Sequence, residues 1–373
     1  MKKNIAIITN AKEDSGVGSR AHQIALHMPK DDDFAIHTIV LDGGRNTLSV
    51  DGSATGSIAP WPSILGTKSI SWMRLAKNIP AFEGYDLSNQ TLSFIANTRT
   101  PSVVTVHDII ELTNPQHPLA RLLNKRLLGG ITKANHIIAV SEYVKKEIVR
   151  YFRISEKRIS VIYNGVNEDF KPIQDFKKTI SYHELVKSLQ LPKDSPIILS
   201  VGSDHPRKNL ATTLHVIAKL KEQYPNILLL KIGEPGFLDA RKEFLHIVDE
   251  LALKDNIRIL GKISQEMLLD AYHVADALLL PSYQEGFGMP VLEAMASGCP
   301  VVCSNATSLP EVVGDAGIMH SPDDVEGYAK SISELFESGG IKESFIAKGL
   351  QRSKMFSWDK AALQTLELYK KYL

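Results

Sequence analysis

The stretch SYQEGFGMPVLEAMASGCPVV, residues 282–302, decides the fold prediction for this 373-residue chain. The apolar run ALLL just before it, residues 277–280, has the length of a buried strand. Pro290 suits the first turn of a helix, and Gly298 suits the position just past its end. The stretch therefore predicts a strand, a glycine turn, a helix and a second buried strand, in that order.

Two glutamates lie eight residues apart in this stretch. Glu285 is in the turn, and Glu293 is about one turn inside the predicted helix. In a parallel sheet this turn lies at the carboxyl end of the strands, where the free N–H groups of a helix start attract an anion. Carboxylates there are suited to accept hydrogen bonds from the hydroxyls of a polyol. Two glutamates at this spacing also occur by chance, so the pair alone is a weak indication.

Outward from this stretch, short apolar runs alternate with segments of helical length. Such alternation predicts βαβ units and a parallel sheet. The strands predicted in the second half are residues 197–201, 227–232, 257–260, 277–280 and 301–303, and those in the first half are residues 4–9, 35–41, 103–107, 136–140 and 159–162. The predicted helices are 19–28, 118–132, 142–152, 323–337, 342–354 and 358–372. Residues 42–71, rich in Gly and Ser, receive no assignment.

Composition and length favour two globular α/β domains. A chain of 373 residues with 43% hydrophobic and 23% charged residues is too long for one ordinary core. Between residues 167 and 195 proline, lysine and aspartate replace the apolar runs. We therefore expect a first domain over residues 1–170, a linker over 171–195 and a second domain over 196–356.

The sequence predicts a cytoplasmic protein. No apolar run reaches transmembrane length, and the start MKKNIAIITNAKED has too short an apolar segment for a signal peptide. Cys299 and Cys303 are the only cysteines, and we expect both to be core thiols. Residues 121–158 carry ten basic and three acidic side chains, which indicates an anionic neighbour for the first domain.

A glycine pair follows the first predicted strand. Gly16 and Gly18 lie in GVGSRA, which resembles part of a Rossmann phosphate loop but lacks the complete G-x-G-x-x-G. On this feature alone a dinucleotide-dependent oxidoreductase stays an alternative.

Two adjacent cations follow the strand 197–201. Arg207 and Lys208, in GSDHPRKNL, precede a predicted helix. A charged loop at a strand end can bind a diphosphate, the arginine as a fork and the lysine as a point charge. An ordinary solvated basic pair is the alternative for these two residues.

The segment EGFGMPVLEAMASGCPVV resembles the signature of the family 4 retaining glycosyltransferases. PRKN at residues 206–209 and the His107-Asp108 pair at a strand end also match that family. The resemblance implies that Glu285 faces the donor sugar and that Glu293 holds the ribose of the nucleotide. It further implies that Lys208 and Arg207 neutralise the leaving diphosphate and that His107 reaches the donor sugar. The glycine loops would contact the donor through Gly16, Gly18, Gly286, Phe287 and Gly288.

Two positions depart from the family pattern. Ser203 stands where the family carries its first arginine, so that Arg207 would have to supply the lost charge. Asn167 replaces the acid of an N-G-V-D segment, which we interpret as a structural turn. The resemblance still covers nearly the whole chain. It implies the GT-B fold, in which two Rossmann-like domains face each other across a cleft and the C-terminal helix, residues 357–373, crosses back to the first domain.

The function implied by this resemblance is hexosyl transfer from a nucleoside diphosphate sugar. The loops most resemble those of mannosyltransferases, so the expected donor is GDP-mannose and the expected acceptor is a glycan or a polyprenyl-linked glycan of a surface polysaccharide. We expect no metal, because no D-x-D motif lies between two apolar strands. We also expect neither a further cofactor nor a nucleic acid partner. The basic residues 121–158 predict peripheral binding to an anionic membrane surface. A soluble glucan or disaccharide synthase and an inactive nucleotide-sugar binding module remain alternatives.

Overall fold

The computed structural model describes residues 2–10, 16–57, 68–113, 128–192, 195–236 and 238–373. The chain divides into two compact units. The first unit consists of Met1–Gly165 with Ser357–Leu373, and the second of Val166–Phe356.

Each unit contains one sheet. The strands of the first unit are β1 Lys3–Thr9, β2 Phe34–Asp42, β3 Thr47–Val50, β4 Ser53–Ser57, β5 Gly84–Leu87, β6 Ser102–Val106, β7 His136–Ala139 and β8 Ile159–Val161. Those of the second unit are β9 Ile197–Val201, β10 Leu228–Ile232, β11 Ile257–Gly261, β12 Ala277–Leu280, β13 Val301–Ser304 and β14 Ile318–His320.

The described helices connect these strands. They are α1 Gly16–Leu26, α2 Lys68–Leu75, α3 Ile110–Thr113, α4 Glu142–Phe152, α5 Ile180–Leu189, α6 Leu210–Gln223, α7 Leu238–Glu250, α8 Gln265–Val274, α9 Met289–Ser297, α10 Leu309–Val313, α11 Val325–Glu337, α12 Gly339–Ser353 and α13 Trp358–Tyr372. Within the described residues, no helix combines the length and the apolar character that crossing a membrane requires.

The second sheet has the order β11-β10-β9-β12-β13-β14, and all its paired strands are parallel. This is the order of a doubly wound nucleotide-binding sheet. The strand order proceeds outward in opposite directions from β9 and from β12, so the two strands meet at the point where the order reverses. One face is covered by α6 and α11, whose apolar side chains form a core with the strands. The loops after β9 and β12 therefore lie side by side at the carboxyl edge.

The first sheet has the order β4-β3-β2-β1-β5-β6-β7-β8. Strands β1, β2 and β5–β8 are parallel, whereas β3 and β4 form an antiparallel hairpin at the edge. The α/β prediction with parallel sheets is confirmed. The hairpin lies in the region that was left unassigned, because its alternating small and polar residues have no apolar run.

Several predicted element boundaries differ from the structure. Helix α11 begins at Val325 rather than at residue 323, and α12 spans Gly339–Ser353 rather than residues 342–354. Helix α1 begins at Gly16 rather than near residue 19, so Gly16 and Gly18 are in its first turn and not in the preceding loop. Residues 118–127 of the predicted helix 118–132 lie outside the described residues, and its described end is a short 3₁₀ helix, Gly129–Thr132.

Residues 171–195 belong to the second unit rather than to a separate linker. They contain α5, whose Leu185 and Leu189 are buried. Phe176 just before this helix is also buried and lies 5.1 Å, ring to ring, from His273. The polar composition hid these few apolar anchors, which attach the segment to α8.

The C-terminal helix α13 belongs to the first unit. It begins as predicted at Trp358, because the Ser357 hydroxyl accepts hydrogen bonds from the backbone N–H groups of Asp359 and Lys360. It packs along α1. Near its end the buried Tyr369 hydroxyl donates a hydrogen bond to Asp86 Oδ2 of β5.

Candidate active site

Two loops of the second unit contact each other at the carboxyl edge of its sheet. They follow β9 and β12, the neighbouring strands at which the strand order of the sheet reverses. The Tyr283 N–H donates to the Arg207 carbonyl at 2.8 Å, and Asn209 Nδ2 donates to the Pro281 carbonyl at 3.1 Å. These bonds hold the basic loop against the acidic one.

Glu285 is the centre of this contact and is only 5% exposed. Lys208 Nζ donates to its Oε1 at 2.7 Å, and Arg207 Nη1 donates to its Oε2 at 2.9 Å. The Glu285 backbone is held as well, since its N–H donates to Thr307 Oγ1 and its carbonyl accepts from the Ser308 hydroxyl. The predicted glutamate and both predicted cations therefore form one group, in which Glu285 and Lys208 are buried and Arg207 is half-buried.

The charges of this group determine the protonation of Glu285. Burial alone would raise the pKa of the carboxyl, but the charges of Lys208 and then Arg207 outweigh it and lower the pKa to about 2. Glu285 is therefore ionised at neutral pH. The group has two cations and one carboxylate, so it keeps a net positive charge with which to meet an anion.

The glycine turn after Glu285 leads into α9. Gly288 has φ +104°, and a Cβ there would lie 2.7 Å from Leu309 Cδ2, so the position favours glycine. The Phe287 ring is buried, 5.8 Å from the Phe356 ring at 77°. Its side chain is thus a packing anchor of the turn, and any donor contact of Phe287 would involve its backbone, as for Gly286.

Glu293 lies in α9 one turn beyond the start, as predicted. Its Oε2 accepts a hydrogen bond from the Tyr272 hydroxyl of α8 at 2.8 Å. Burial raises the pKa of Glu293 to about 7, and the Tyr272 bond and the Lys208 charge oppose this rise. Tyr272 was not predicted as a site residue, because it lies 21 positions away in an ordinary amphipathic helix.

His107 belongs to the first unit, where it follows β6. Its Nε2 lies 3.0 Å from the Ser88 carbonyl, which can only accept, so Nε2 carries the proton. Burial, followed by the positive charge of Arg20, lowers its pKa to about 4. The ring is therefore neutral at pH 7, with Nδ1 as an acceptor for a hydroxyl. Asp108 next to it caps α3 by accepting from the Ile110 N–H.

Arg20 is a buried cation that the sequence reasoning missed. It is 2% exposed, and its Nη1 donates to Asn164 Oδ1 at 2.6 Å. Burial lowers its pKa to about 10. It lies in α1 two residues after Gly18, and a basic residue so close to the glycine pair was the available signal. Arg20 belongs to the first unit, as do the predicted residues Gly16, Gly18 and His107, whereas the other predicted site residues belong to the second.

The chemistry of the described donors suits an anionic ligand. Arg207 offers a planar fork and Lys208 a point charge, both suited to phosphate oxygens. Within the described ranges, no cluster of three or more His, Cys, Asp or Glu side chains has the arrangement that a metal ion requires. Cys299 and Cys303 are buried, and burial raises both thiol pKa values to about 12.

Two family models match the chain. The model described as Glycosyltransferase Family 4 matches residues 15–170, and the one described as Glycosyl transferases group 1 matches residues 181–352. Together they cover most of both units.

The chain is also similar to curated enzymes. It is 34% identical over 277 residues to the O-antigen chain mannosyltransferase B of Escherichia coli. The matched region covers 72% of this chain and 70% of that protein. It is 30% identical over 290 residues to the D-inositol 3-phosphate glycosyltransferase of Streptomyces bingchenggensis, over 73% of this chain and 61% of the relative. A serotype-specific mannosyltransferase WbdA of Escherichia coli is 29% identical over 79% of this chain, which spans 36% of that longer protein.

Solved structures share the fold over nearly the whole length. HepE of Anabaena in complex with UDP-glucose has a TM-score of 0.77 at 19% identity, covering 99% of this chain and 100% of that one. Sucrose-phosphate synthase of Thermosynechococcus elongatus has a TM-score of 0.76 at 20% identity, with 99% of both chains covered. At these identities the likeness shows the fold alone.

Proposed function

The chain belongs to the family 4 glycosyltransferases of the GT-B fold and is a hexosyltransferase. From this premise we propose that it transfers mannose from GDP-mannose with retention at the anomeric carbon. The proposed acceptor is a growing glycan, free or polyprenyl-linked, of a surface polysaccharide. Two relatives named as mannosyltransferases support the sugar, and the one named as an O-antigen chain mannosyltransferase supports the type of acceptor.

One observation carries this proposal: the buried Glu285 and Lys208 and the half-buried Arg207 form one group at the point where the strand order of the second sheet reverses. A nucleoside diphosphate sugar has a diphosphate that needs cations and a sugar that needs an acceptor for its hydroxyls. The group supplies both within one hydrogen-bonded unit. A glycosidase needs two carboxylates but no cation pair for a diphosphate.

The proposed roles follow from the protonation of each group. Lys208 and Arg207 would stabilise the charge that develops on the departing diphosphate. Ionised Glu285 would accept hydrogen bonds from the sugar hydroxyls and stabilise an oxocarbenium-like transition state. Because two cations already contact its oxygens, Glu285 is a poor covalent nucleophile. We therefore favour attack on the face that the diphosphate leaves, with the departing phosphate oxygen taking the proton of the acceptor hydroxyl.

The remaining groups would position the donor. Glu293 would hold the ribose, and neutral His107 would accept a hydroxyl of the sugar at Nδ1. We propose that protein cations and helix N–H groups, rather than a metal, balance the diphosphate charge, and that no further cofactor takes part.

The test is a donor screen followed by a transfer assay. We expect GDP-mannose to raise the melting temperature more than UDP-glucose, UDP-galactose or ADP-glucose. Mannose transfer to a mannosylated acceptor should give an α-linked product by NMR and should survive excess EDTA. A β-linked product would contradict retention, and loss of activity restored by Mg²⁺ would contradict the metal-free diphosphate site. Preference for another donor would replace the proposed one.

A membrane surface is the proposed location of this reaction. The described part of the basic segment contains α4, whose Val144 and Ile148 are buried while Lys146 and Arg150 are exposed. The remainder, including Arg121, Lys125 and Arg126, lies outside the described residues. We propose that this basic face binds the anionic cytoplasmic leaflet and so brings the enzyme to a lipid-linked acceptor.

A further inference from the structure

A second buried group of charges lies beside the proposed diphosphate site. Asp204 is in the loop after β9, three residues before Arg207, and its side chain is fully buried. Its Oδ1 lies 3.0 Å from Lys231 Nζ, and its Oδ2 lies 2.8 Å from Arg241 Nε. Lys231 is the fourth residue of β10 and is likewise fully buried, whereas Arg241 of α7 is partly exposed. None of these three residues has a role in the mechanism proposed above.

A buried lysine is costly to keep and therefore calls for an explanation. Removing an ammonium group from water is unfavourable unless good partners surround it, and apolar residues in its place are often as stabilising. Lys231 points toward the loop that carries Arg207 and Lys208. Its Nζ donates to the Gly202 carbonyl at 2.6 Å in addition to contacting Asp204.

Gly202 is the point at which this group reaches the active site. Its carbonyl accepts from Lys231, and its N–H donates to the Ile232 carbonyl at 2.9 Å, so both of its backbone groups are held by β10. The Lys208 side chain passes directly over it, since a Cβ on Gly202 would lie 3.1 Å from Lys208 Cε and 3.4 Å from Lys208 Nζ. The Lys208 side chain therefore packs against the Gly202 backbone.

The loop is also fixed at its other end. Asn209 adopts φ +52°, and its Nδ2 donates to the Pro281 and Pro322 carbonyls. Between the two ends, the His205 Nδ1 accepts from the Arg207 N–H. Lys231 and Asp204 therefore determine where the loop begins, and Asn209 determines where it ends.

We infer that Lys231, Asp204 and Arg241 form a positioning cluster that holds loop 202–208 so that Lys208 and Arg207 meet the donor diphosphate. The inference rests on the proposed nucleoside diphosphate sugar donor and adds residues that act on it only through the loop. A positioning cluster differs from an ordinary structural ion pair because its loss weakens the binding of the diphosphate selectively.

The test compares two nucleotides that differ by the phosphate held by the loop. The affinities of GDP and GMP are measured by calorimetry for the wild type, Lys231→Met and Arg241→Gln, with UDP and UMP in parallel. We expect both variants to bind the diphosphate about tenfold more weakly and the monophosphate with unchanged affinity, because the partners behind a binding group affect only what that group binds.

Lys342→Met is the matched control. Lys342 forms a half-buried ion pair, 2.6 Å from Asp276, but Asp276 lies at the amino edge of the same sheet, where it accepts from the Ile197 N–H. Breaking this pair should change neither affinity. If Lys231→Met does not fold, Arg241→Gln decides alone, since Arg241 is partly exposed and leaves the Lys231 pair intact.

The outcomes separate this inference from the proposed function. Wild-type protein that binds no nucleoside diphosphate contradicts the proposed donor class. Wild-type binding together with variants that keep full diphosphate affinity, or that lose GDP and GMP affinity equally, overturns the positioning cluster and leaves a structural ion pair.

Discussion

The two glutamates of the site have opposite electrostatic surroundings. Glu285 is buried with two cations on its oxygens, whereas Glu293 is half-buried and accepts a hydrogen bond from the neutral Tyr272 hydroxyl. The pKa of Glu285 is about 2, below its unfolded value, so its contribution to stability is present above pH 4.5 and is lost as the pH falls toward 2. The pKa of Glu293 is about 7, so its contribution is present below pH 4.5 and is lost as the pH rises through 7.

Lys208→Ala should raise the activation free energy by about 3 kcal/mol and so lower turnover, because it removes a charge that acts mainly on the departing diphosphate. Steady-state kinetics with varied donor should show the loss in kcat more than in donor KM. Lys254→Ala, at an exposed lysine in the same unit, is the control and should match the wild type. A kcat within a few fold of wild type for Lys208→Ala would remove this residue from the site.

Donor affinity should rise as the pH increases from 6 to 8, because ionised Glu293 accepts a stronger hydrogen bond from ribose than its neutral form does. GDP-mannose is the suitable ligand, since its phosphodiester groups do not titrate in this range. Calorimetry should show a midpoint near pH 7 that moves higher in Tyr272→Phe, which loses the bond opposing the raised pKa. Glu293→Gln should bind with no such midpoint, and a wild-type affinity independent of pH would refute this role.

At the scale of elements, the strand–turn–helix unit β12–α9 contributes to the stability of the second unit and also carries the site residues Glu285 and Glu293. Gly288 provides the left-handed turn, and Gly298 ends the helix with φ +78°. Gly288 is needed because the helix start lies close to Leu309, and Gly298 is needed because the chain leaves the helix in a left-handed conformation. A change in this turn should therefore affect folding and donor binding together.

Gly288→Ala should lower the free energy of unfolding by about 1–3 kcal/mol, because alanine is strained at φ +104° and its Cβ would contact Leu309. Urea denaturation measures the loss, and GDP affinity should fall in the same variant. Gly339→Ala at the start of α12, where nothing lies within 4 Å of the added Cβ, should cost less than about 0.5 kcal/mol. Equal costs at the two positions would contradict the strain at Gly288.

Tyr369→Phe should lower the free energy of unfolding by about 1–3 kcal/mol, because it removes the hydrogen bond between α13 and the buried Asp86. Among the described residues the other oxygen of Asp86 has no hydrogen-bond partner, so the carboxyl would be left without one. Urea denaturation is again the measurement. Tyr372→Phe on the same helix keeps the ring that stacks on His136 and should cost much less. No difference between the two would show that the bond does not hold the helix.

At the scale of the whole molecule, charge is unequally distributed although the net charge is only +1. The first unit contains the exposed Lys146 and Arg150 of α4, and the second contains a site whose two cations contact the buried carboxylate of Glu285. Only the first of these can act over a distance in water, because exposed charges reach about 8 Å at physiological salt.

The protein should co-sediment with vesicles that contain phosphatidylglycerol, and high salt should release it, since screening weakens the attraction. The double variant Lys146→Glu with Arg150→Glu should bind less. Lys242→Glu with Lys254→Glu makes the same change in net charge on the second unit and should bind as the wild type does. Equal binding to neutral and anionic vesicles, or to neither, would indicate an acceptor in solution.

The sequence by itself determined the local elements and the type of chemistry. Helix α4 and helix α13 begin and end at the predicted residues, because capping and apolar periodicity depend on neighbours within a turn. The glycine turn before α9 was predicted for the same reason. The glycosyltransferase family followed from motifs that are themselves short and continuous.

The tertiary structure alone decided which groups meet. Glu285 contacts Lys208 and Arg207, 77 and 78 positions away, and these contacts set its pKa. The Asp204 cluster, the hairpin β3–β4 and the attachment of residues 171–195 to the second unit also depend on distant partners. Desolvation and Coulomb interaction depend on distances in space, which sequence separation does not give, and for that reason only the folded sheet shows them.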